Sequence, residues 1–258
     1  MSYRFFLGAR VLAASTLLMM IFITTTGAEG LTEKQGDAIL QELQQIRILL
    51  ERQQRPPAVA QKAPPQQSKA TLKLGSDYAT GSKDAPITIV EYTDYQCPYC
   101  YRFHVGIYPE IKKNFIDTGK VRFIKRDLAL DSHPHALKSA QASRCAGDQG
   151  KFWEMHNLLS ENPNTLGPES YAKYTRDLGL DAEAFKACVD GDKYLAEIRE
   201  SGQGANAIGI TGTPSFVIGT VKGDTLDGIK IIGAHPYPVF ERAIKDFLAA
   251  QPPVKTKN

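Results

Sequence analysis

The stretch that most limits how this chain can fold is Tyr-Gln-Cys-Pro-Tyr-Cys, residues 95–100, because of what stands on either side of it. Before it runs Pro-Ile-Thr-Ile-Val-Glu-Tyr-Thr-Asp (86–94), which reads as a buried strand. After it, Tyr99 to Asp117 reads as a helix with Phe103, Ile107, Ile111 and Phe115 on one side and Gly119 beyond its end. Cys97 and Cys100 therefore sit where a strand hands over to a helix.

Three chemistries use two cysteines at this spacing. A zinc site needs two more ligands, and Cys145 and Cys188 have no His three to five residues beyond them to complete one. A purely structural disulfide across two residues closes almost no loop and removes little entropy from the unfolded chain. A redox pair draws on the position itself. With Cys97 at the helix cap and Pro98 in the first turn, the free amides of Tyr99 and Cys100 and the positive end of the helix dipole face the Cys97 sulfur. These favour thiolate over thiol and make Cys97 a good leaving group. Cys100, one turn inside, is expected to be deeper and to resolve a mixed disulfide.

Two distant residues fit the same chemistry. In Gly-Ile-Thr-Gly-Thr-Pro-Ser-Phe-Val-Ile-Gly (209–219), Pro214 opens a strand, a place that marks an edge or a cis bond. A cis Thr213–Pro214 bond would bring the Thr213 backbone beside the cysteines, ready to add a substrate strand; a trans proline would merely open the strand. Glu91, six residues before Cys97, either faces outward or lies beneath the cysteines, where a buried acid would relay the proton of Cys100.

Around this centre the chain divides into segments. Residues 1–28 carry Arg4 and Arg10, an apolar run from about Val11 to Ile23, and small residues ending at Ala28, the order of a cleaved secretory signal. The run is shorter than the roughly 20 residues a spanning helix needs. Export would put the protein in the periplasm, where disulfides persist. The formal charge of +3 includes those two leader arginines, so the remainder is near neutral and gives no electrostatic case for nucleic acid. Residues 29–53 contain Ile39, Leu43, Ile46 and Leu50 at 4-3-4 spacing, widened by Leu40 and Leu49. This amphipathic helix needs a partner for its stripe: another copy of the chain, giving a homo-oligomer through residues 31–52, or its own domain. Residues 54–70 form a Pro/Gln-rich linker. The folded domain is expected over 71–250, with a tail at 251–258. It reads as strand, helix, a second strand at 120–128, a helical block over about 131–206, the strands 215–219 and 229–233 joined by a turn-rich connection, and a final helix carrying Phe240, Ile244, Phe247 and Leu248. A small mixed α/β sheet covered by helices, with a helical insertion, satisfies that order.

The segments 89–100, Gly-Asp-Gln-Gly-Lys-Phe-Trp-Glu-Met-His-Asn-Leu-Leu (147–159) and 209–219, in this sequence, resemble the DsbA family of exported thiol-disulfide oxidoreductases over about residues 71–250. The resemblance implies a thioredoxin-like fold with a helical insertion, Cys97 as nucleophile, Cys100 as resolving cysteine, Glu91 as buried acid and Pro214 as cis proline. Two positions depart from the DsbA oxidase: Pro98-Tyr99 stands between the cysteines in place of Pro-His, and Thr213 in place of Val before the proline. Both are similar to the disulfide isomerase branch that includes DsbG and ScsC, whose members oligomerise through N-terminal segments. Potentials in the superfamily run from about −270 mV for thioredoxin to about −120 mV for DsbA, a spread of ~7 kcal/mol, so few residues decide direction.

Cys145 and Cys188 both lie in the helical block, and bridging them would close a loop worth roughly 4 kcal/mol, so a structural disulfide is expected there. His104 reads as a solvated helix residue or a modest influence on Cys97. The expected function is disulfide formation or rearrangement in unfolded or misfolded proteins. Pro98, Tyr99 and Thr213 would contact substrate, and a membrane redox partner would reset the pair. Neither an organic cofactor nor a metal is required. A peptide-binding chaperone that kept the fold is the alternative.

Overall fold

The computed structural model describes residues 32–54, 68–75 and 77–251. The expected leader and most of the expected linker lie outside these residues. The described residues fall into two compact units, divided between residues 61 and 62.

In the first unit, α1 (Glu33–Gln54) starts with a reciprocal cap. The Gln35 amide donates to Thr32 Oγ1, and the Thr32 amide donates to Gln35 Oε1 at 3.0 Å. Its apolar stripe is exposed, from 44% at Ile39 to 59% at Leu40, with Leu43 and Ile46 between these limits.

The second unit is a six-stranded sheet clothed by helices. Its strands are β1 (Lys69–Lys73), β2 (Tyr78–Thr80), β3 (Ile87–Thr93), β4 (Val121–Asp127), β5 (Ser215–Lys222) and β6 (Thr225–Ile232), in the spatial order β1-β6-β5-β3-β4-β2. β3 is fully buried, pairs in parallel with β4 and antiparallel with β5. The parallel pair requires a crossover, supplied by α2 (Pro98–Gly106), α3 (Tyr108–Ile111) and a π-helical turn at Lys112–Ile116. One face of the sheet packs Ile87, Ile89, Phe123, Phe216 and Ile231 against Phe103, Ile111 and Phe115 of the crossover and against Phe240 and Ile244 of α9 (Tyr237–Ala249). The opposite face packs Val90, Tyr92, Ile124, Val217 and Leu226 with Ile210 and with Ala205 of α8 (Leu195–Ala207).

The helical block consists of α4 (Ala136–Gly147), α5 (Phe152–Glu161), α6 (Pro168–Asp177), α7 (Ala182–Asp190) and α8. It owns a separate apolar cluster built from Cys145, Met155, Leu159, Tyr171, Tyr174, Phe185 and Ile198. A disulfide joins Cys145 of α4 to Cys188 of α7, with Cα atoms 5.9 Å apart.

Three boundaries differ from the sequence reading. The expected helix 99–117 breaks at Ile107, because Pro109 has no amide to continue the hydrogen-bond ladder and instead opens α3. The sheet begins at Lys69 rather than Thr71 and includes β1 and β2, neither of which was expected. The connection expected over 220–228 is mostly strand: β5 and β6 pair from Ser215↔Ile232 to Lys222↔Thr225, leaving only Gly223 and Asp224 in the turn. Gly223 takes the turn at φ +62°, and Gly219 opposes Gly228 so closely that a Cβ on Gly228 would meet Ile218 O at 2.2 Å.

Replacing both Cys145 and Cys188 by Ser should lower stability by roughly 4 kcal/mol, the entropy recovered by the unfolded chain when the loop opens. Urea unfolding of the oxidised protein and the double variant measures it.

Candidate active site

Cys97 is the N-cap of α2, with extended backbone angles of φ −72° and ψ 122°, and Pro98 follows in the first turn. No side chain caps this helix end, so its amides remain directed at the cap residue. Pro98 and Tyr99 are exposed at the surface, while Cys97 and Cys100 are buried free thiols. Arg102 stacks over the Tyr99 ring, 4.4 Å from its centroid.

The Thr213–Pro214 bond is cis, and the Thr213 carbonyl accepts from Cys97 Sγ at 3.4 Å. Strand pairing makes this contact: Ser215 lies opposite Tyr92, so the residues before β5 meet the residues after β3. The loop leading into Cys97 is held by Asp94, which is 2% exposed. Its carboxylate accepts from the amides of Gln96 and Leu130 and contacts His133 Nδ1, while its carbonyl accepts from the Cys97 amide. Gln96 Oε1 accepts from the His135 amide, a second stitch between this loop and the entrance to α4.

The two thiols are electrostatically unequal. Donation from the Cys100 thiol lowers the Cys97 pKa to about 6 against the opposing effect of burial, and Thr213 and the backbone amides of Cys100 and Tyr99 add to the lowering. Burial pushes Cys100 well above the ordinary thiol value, and the neighbouring Cys97 sulfur and Glu91 push it further. One sulfur is thus prepared as thiolate and the other as thiol.

Glu91 is wholly buried on the same sheet face as Ile89, and its Oε1 lies 3.1 Å from His104 Nε2. That approach lacks hydrogen-bond alignment, so what joins the two groups is proximity inside the core. His104 is therefore a buried partner of Glu91, not the solvated residue the sequence suggested. The four-residue step from Cys100 to His104, one helical turn, was the available signal. The sequence reading also missed Lys125 and Asp127, which are buried and bonded to each other, with Arg144 Nε donating to Asp127 at 2.7 Å. Burial lowers the Lys125 pKa; burial also opposes ionisation of Asp127, but Lys125 and Arg144 outweigh it and hold that carboxyl below its usual range. Val121, Phe123, Lys125 and Asp127 alternate along β4, so the strand period already placed the two charges inward.

The low Cys97 pKa has a signed consequence. A group depressed to about 6 from an ordinary 9.0 stabilises the reduced fold fully above 9.0 and loses that contribution as pH falls through 6. The stability of the reduced protein relative to Cys97→Ser should therefore rise between pH 6 and 9 and be flat below 6, as measured by urea unfolding. A difference independent of pH would contradict the assignment.

Comparison with known proteins places this geometry. Wolbachia pipientis alpha-DsbA1 has 26% sequence identity and a TM-score of 0.59, covering 69% of this chain and 94% of that one. BdbD from Bacillus subtilis, at 23% identity and a TM-score of 0.58, shares the fold over 71% of this chain and 100% of its own. A Rickettsia felis protein named as a protein-disulfide oxidoreductase is 31% identical over 175 residues, 65% of this chain and 62% of that protein. The Salinispora arenicola Na(+)/H(+) antiporter NhaA 1 is 36% identical over 143 residues, 55% of this chain. This chain thus spans only 21% of that antiporter's length, and no helix among the described residues is long and apolar enough to cross a membrane. A family model described as Thioredoxin matches residues 73–234, a span that holds both cysteines of the pair, Glu91, His104 and the cis Thr213–Pro214 bond; this chain belongs to that family, in its DsbA-like form.

Proposed function

We propose that the protein is an exported thiol-disulfide oxidoreductase that forms or rearranges disulfides in unfolded or misfolded proteins through Cys97 and Cys100. The observation that carries this reading is the placement of two buried free thiols at a helix end, Cys97 as the N-cap of α2 and 3.4 Å from the Thr213 carbonyl with Cys100 one turn behind it, which makes the two sulfurs unequal. In the oxidising direction a substrate thiolate attacks Cys97 of the disulfide, and the Cys97–Cys100 bond breaks with its electron pair left on Cys100. A second substrate thiolate then attacks the substrate sulfur of the mixed disulfide and expels Cys97 as a thiolate. A low-pKa leaving group speeds that release. In the rearranging direction the Cys97 thiolate attacks a wrong disulfide, and Cys100 or another substrate thiol resolves the adduct.

Substrate is held beside the pair by the exposed Pro98-Tyr99 face of α2 and by the Thr213 backbone. The oxidising cycle is closed by a membrane redox partner that withdraws two electrons from the reduced pair. Export and cleavage after Ala28 are supported by the residue order of the leader.

The exposed stripe of α1 favours a homo-oligomer and the rearranging direction. Ile39, Leu40, Leu43 and Ile46 all remain 44% exposed or more, and a short helix in water needs a partner for such a stripe. Several pairs held in one assembly suit the repeated attack on wrong disulfides that rearrangement demands.

Cys97→Ser should reduce thiol-disulfide exchange to background. Residues 29–258 should recover a scrambled, multiply disulfide-bonded protein, and a chain starting at Ser68, just ahead of β1, should lose that recovery while still oxidising a reduced substrate. Equal recovery by both would remove α1 from the function.

A further inference from the structure

Behind Cys100 lies a group of buried polar side chains that thiol chemistry alone does not explain. Neither oxygen of Glu91 has a hydrogen bond of good geometry among the described residues, yet Glu91 is wholly buried. An uncompensated buried carboxylate costs several kcal/mol, so a facing cation or a proton must stabilise it. Lys125 is its neighbour across the β3–β4 pairing, but Lys125 Nζ is bonded to Asp127. The group that faces the carboxylate directly is His104 Nε2, at 3.1 Å.

A second imidazole restricts what His104 can do. His156 of α5 lies edge-on to His104 with ring centroids 4.9 Å apart, and its Nδ1 bonds the buried Tyr95 hydroxyl at 3.0 Å. Burial, with His104 nearby, pushes His156 well below the ordinary imidazole range, so it stays neutral. Burial also keeps the Tyr95 hydroxyl protonated, which makes Tyr95 the donor. Tyr108 of α3 also packs against His104 and is likewise raised, by burial first and Glu91 second, so it stays neutral too. Of the described residues around the carboxylate, His104 is the one whose basic nitrogen approaches it directly, since Lys125 is bonded to Asp127.

We propose that His104 is a positioning residue for proton transfer at Cys100, holding Glu91 as a carboxylate able to take the Cys100 proton. This rests on the reading of Cys97 and Cys100 as a redox couple with Glu91 as its acid. When Cys100 resolves a mixed disulfide, a bond forms between Cys100 Sγ and Cys97 Sγ and the Cys97–substrate bond breaks. Its electron pair leaves on the substrate sulfur, and the Cys100 proton goes to Glu91. When a substrate thiolate reopens the pair, the same proton returns to Cys100. Removing His104 takes away the group that faces the carboxylate, and a buried carboxylate without a facing partner is disfavoured as a proton acceptor.

The test follows resolution alone. The Cys97 thiol of the reduced protein is converted to its thionitrobenzoate mixed disulfide, and release of the coloured thiolate by Cys100 is timed by stopped flow across pH. His104→Phe should slow release by about tenfold or more at neutral pH and move the profile to higher pH. His104→Gln, which keeps a donor without the charge, should fall between and serves alone if the Phe variant does not fold. The Cys97 thiolate titration should stay near 6 in both, which a merely structural disturbance of α2 would shift. Wild-type release by the His104 variants with slowed release by Glu91→Gln would overturn the proposal and leave the role of Glu91 standing. Wild-type release by all three would remove Glu91 as well.

Discussion

The antiparallel register of β3 against β5 is the constraint on which the site depends. With Glu91 opposite Phe216 and Tyr92 opposite Ser215, the end of β3 and the beginning of β5 stop at the same edge of the sheet. One leads into the Cys97 cap and the other arrives from the cis Thr213–Pro214 bond. A slip of one residue would turn Glu91 out of the core and carry the Thr213 carbonyl away from Cys97 Sγ. The register is pinned on both faces, by Ile87 and Ile89 with Phe216 and Ile218 on one side, and by Val90 and Tyr92 with Val217 on the other. The core thus fixes, by ordinary apolar packing, the meeting of two segments more than 100 residues apart in the chain.

What this meeting produces is an electrical difference between two chemically identical side chains. Cys97 collects the donors at the junction: the Cys100 thiol, the Thr213 side chain and two amides of the first turn of α2. Cys100 collects the penalties: burial, the neighbouring sulfur and the Glu91 carboxylate. Disulfide exchange needs such a difference, since one sulfur must leave readily while the other returns to close the pair. Asp94, stitched to Gln96, Leu130 and His133, holds the loop so that the difference does not average away.

How much of this was legible in the sequence follows the strength of local signals. The cysteines announced themselves because a strand run, a proline and a helical face agree around them, and Pro214 stood out at the head of a strand. β1 escaped because only Ala70 and Leu72 of its five residues turn inward, and β2 because three half-buried residues carry no period. The connection over 220–228 looked like a loop because Gly219, Gly223 and Gly228 suggest turns, whereas only Gly223 makes one and the other two permit close strand approach. Lys125 and Asp127 escape, and His104 reads as solvated or as a modest influence on Cys97, because polar residues are normally assigned to the surface. The strand period and the helical turn had already put them inside, and their partners come from other elements, which no local pattern displays.

The measurement that bears most directly on the central claim is the distribution of a single alkylation. Reduced protein is treated with less than one equivalent of iodoacetamide slightly above pH 6, and the modified cysteine is identified by peptide mass spectrometry. The unequal sulfurs predict label on Cys97 almost exclusively, because only its thiolate is populated there. Equal labelling, or label chiefly on Cys100, would contradict the account.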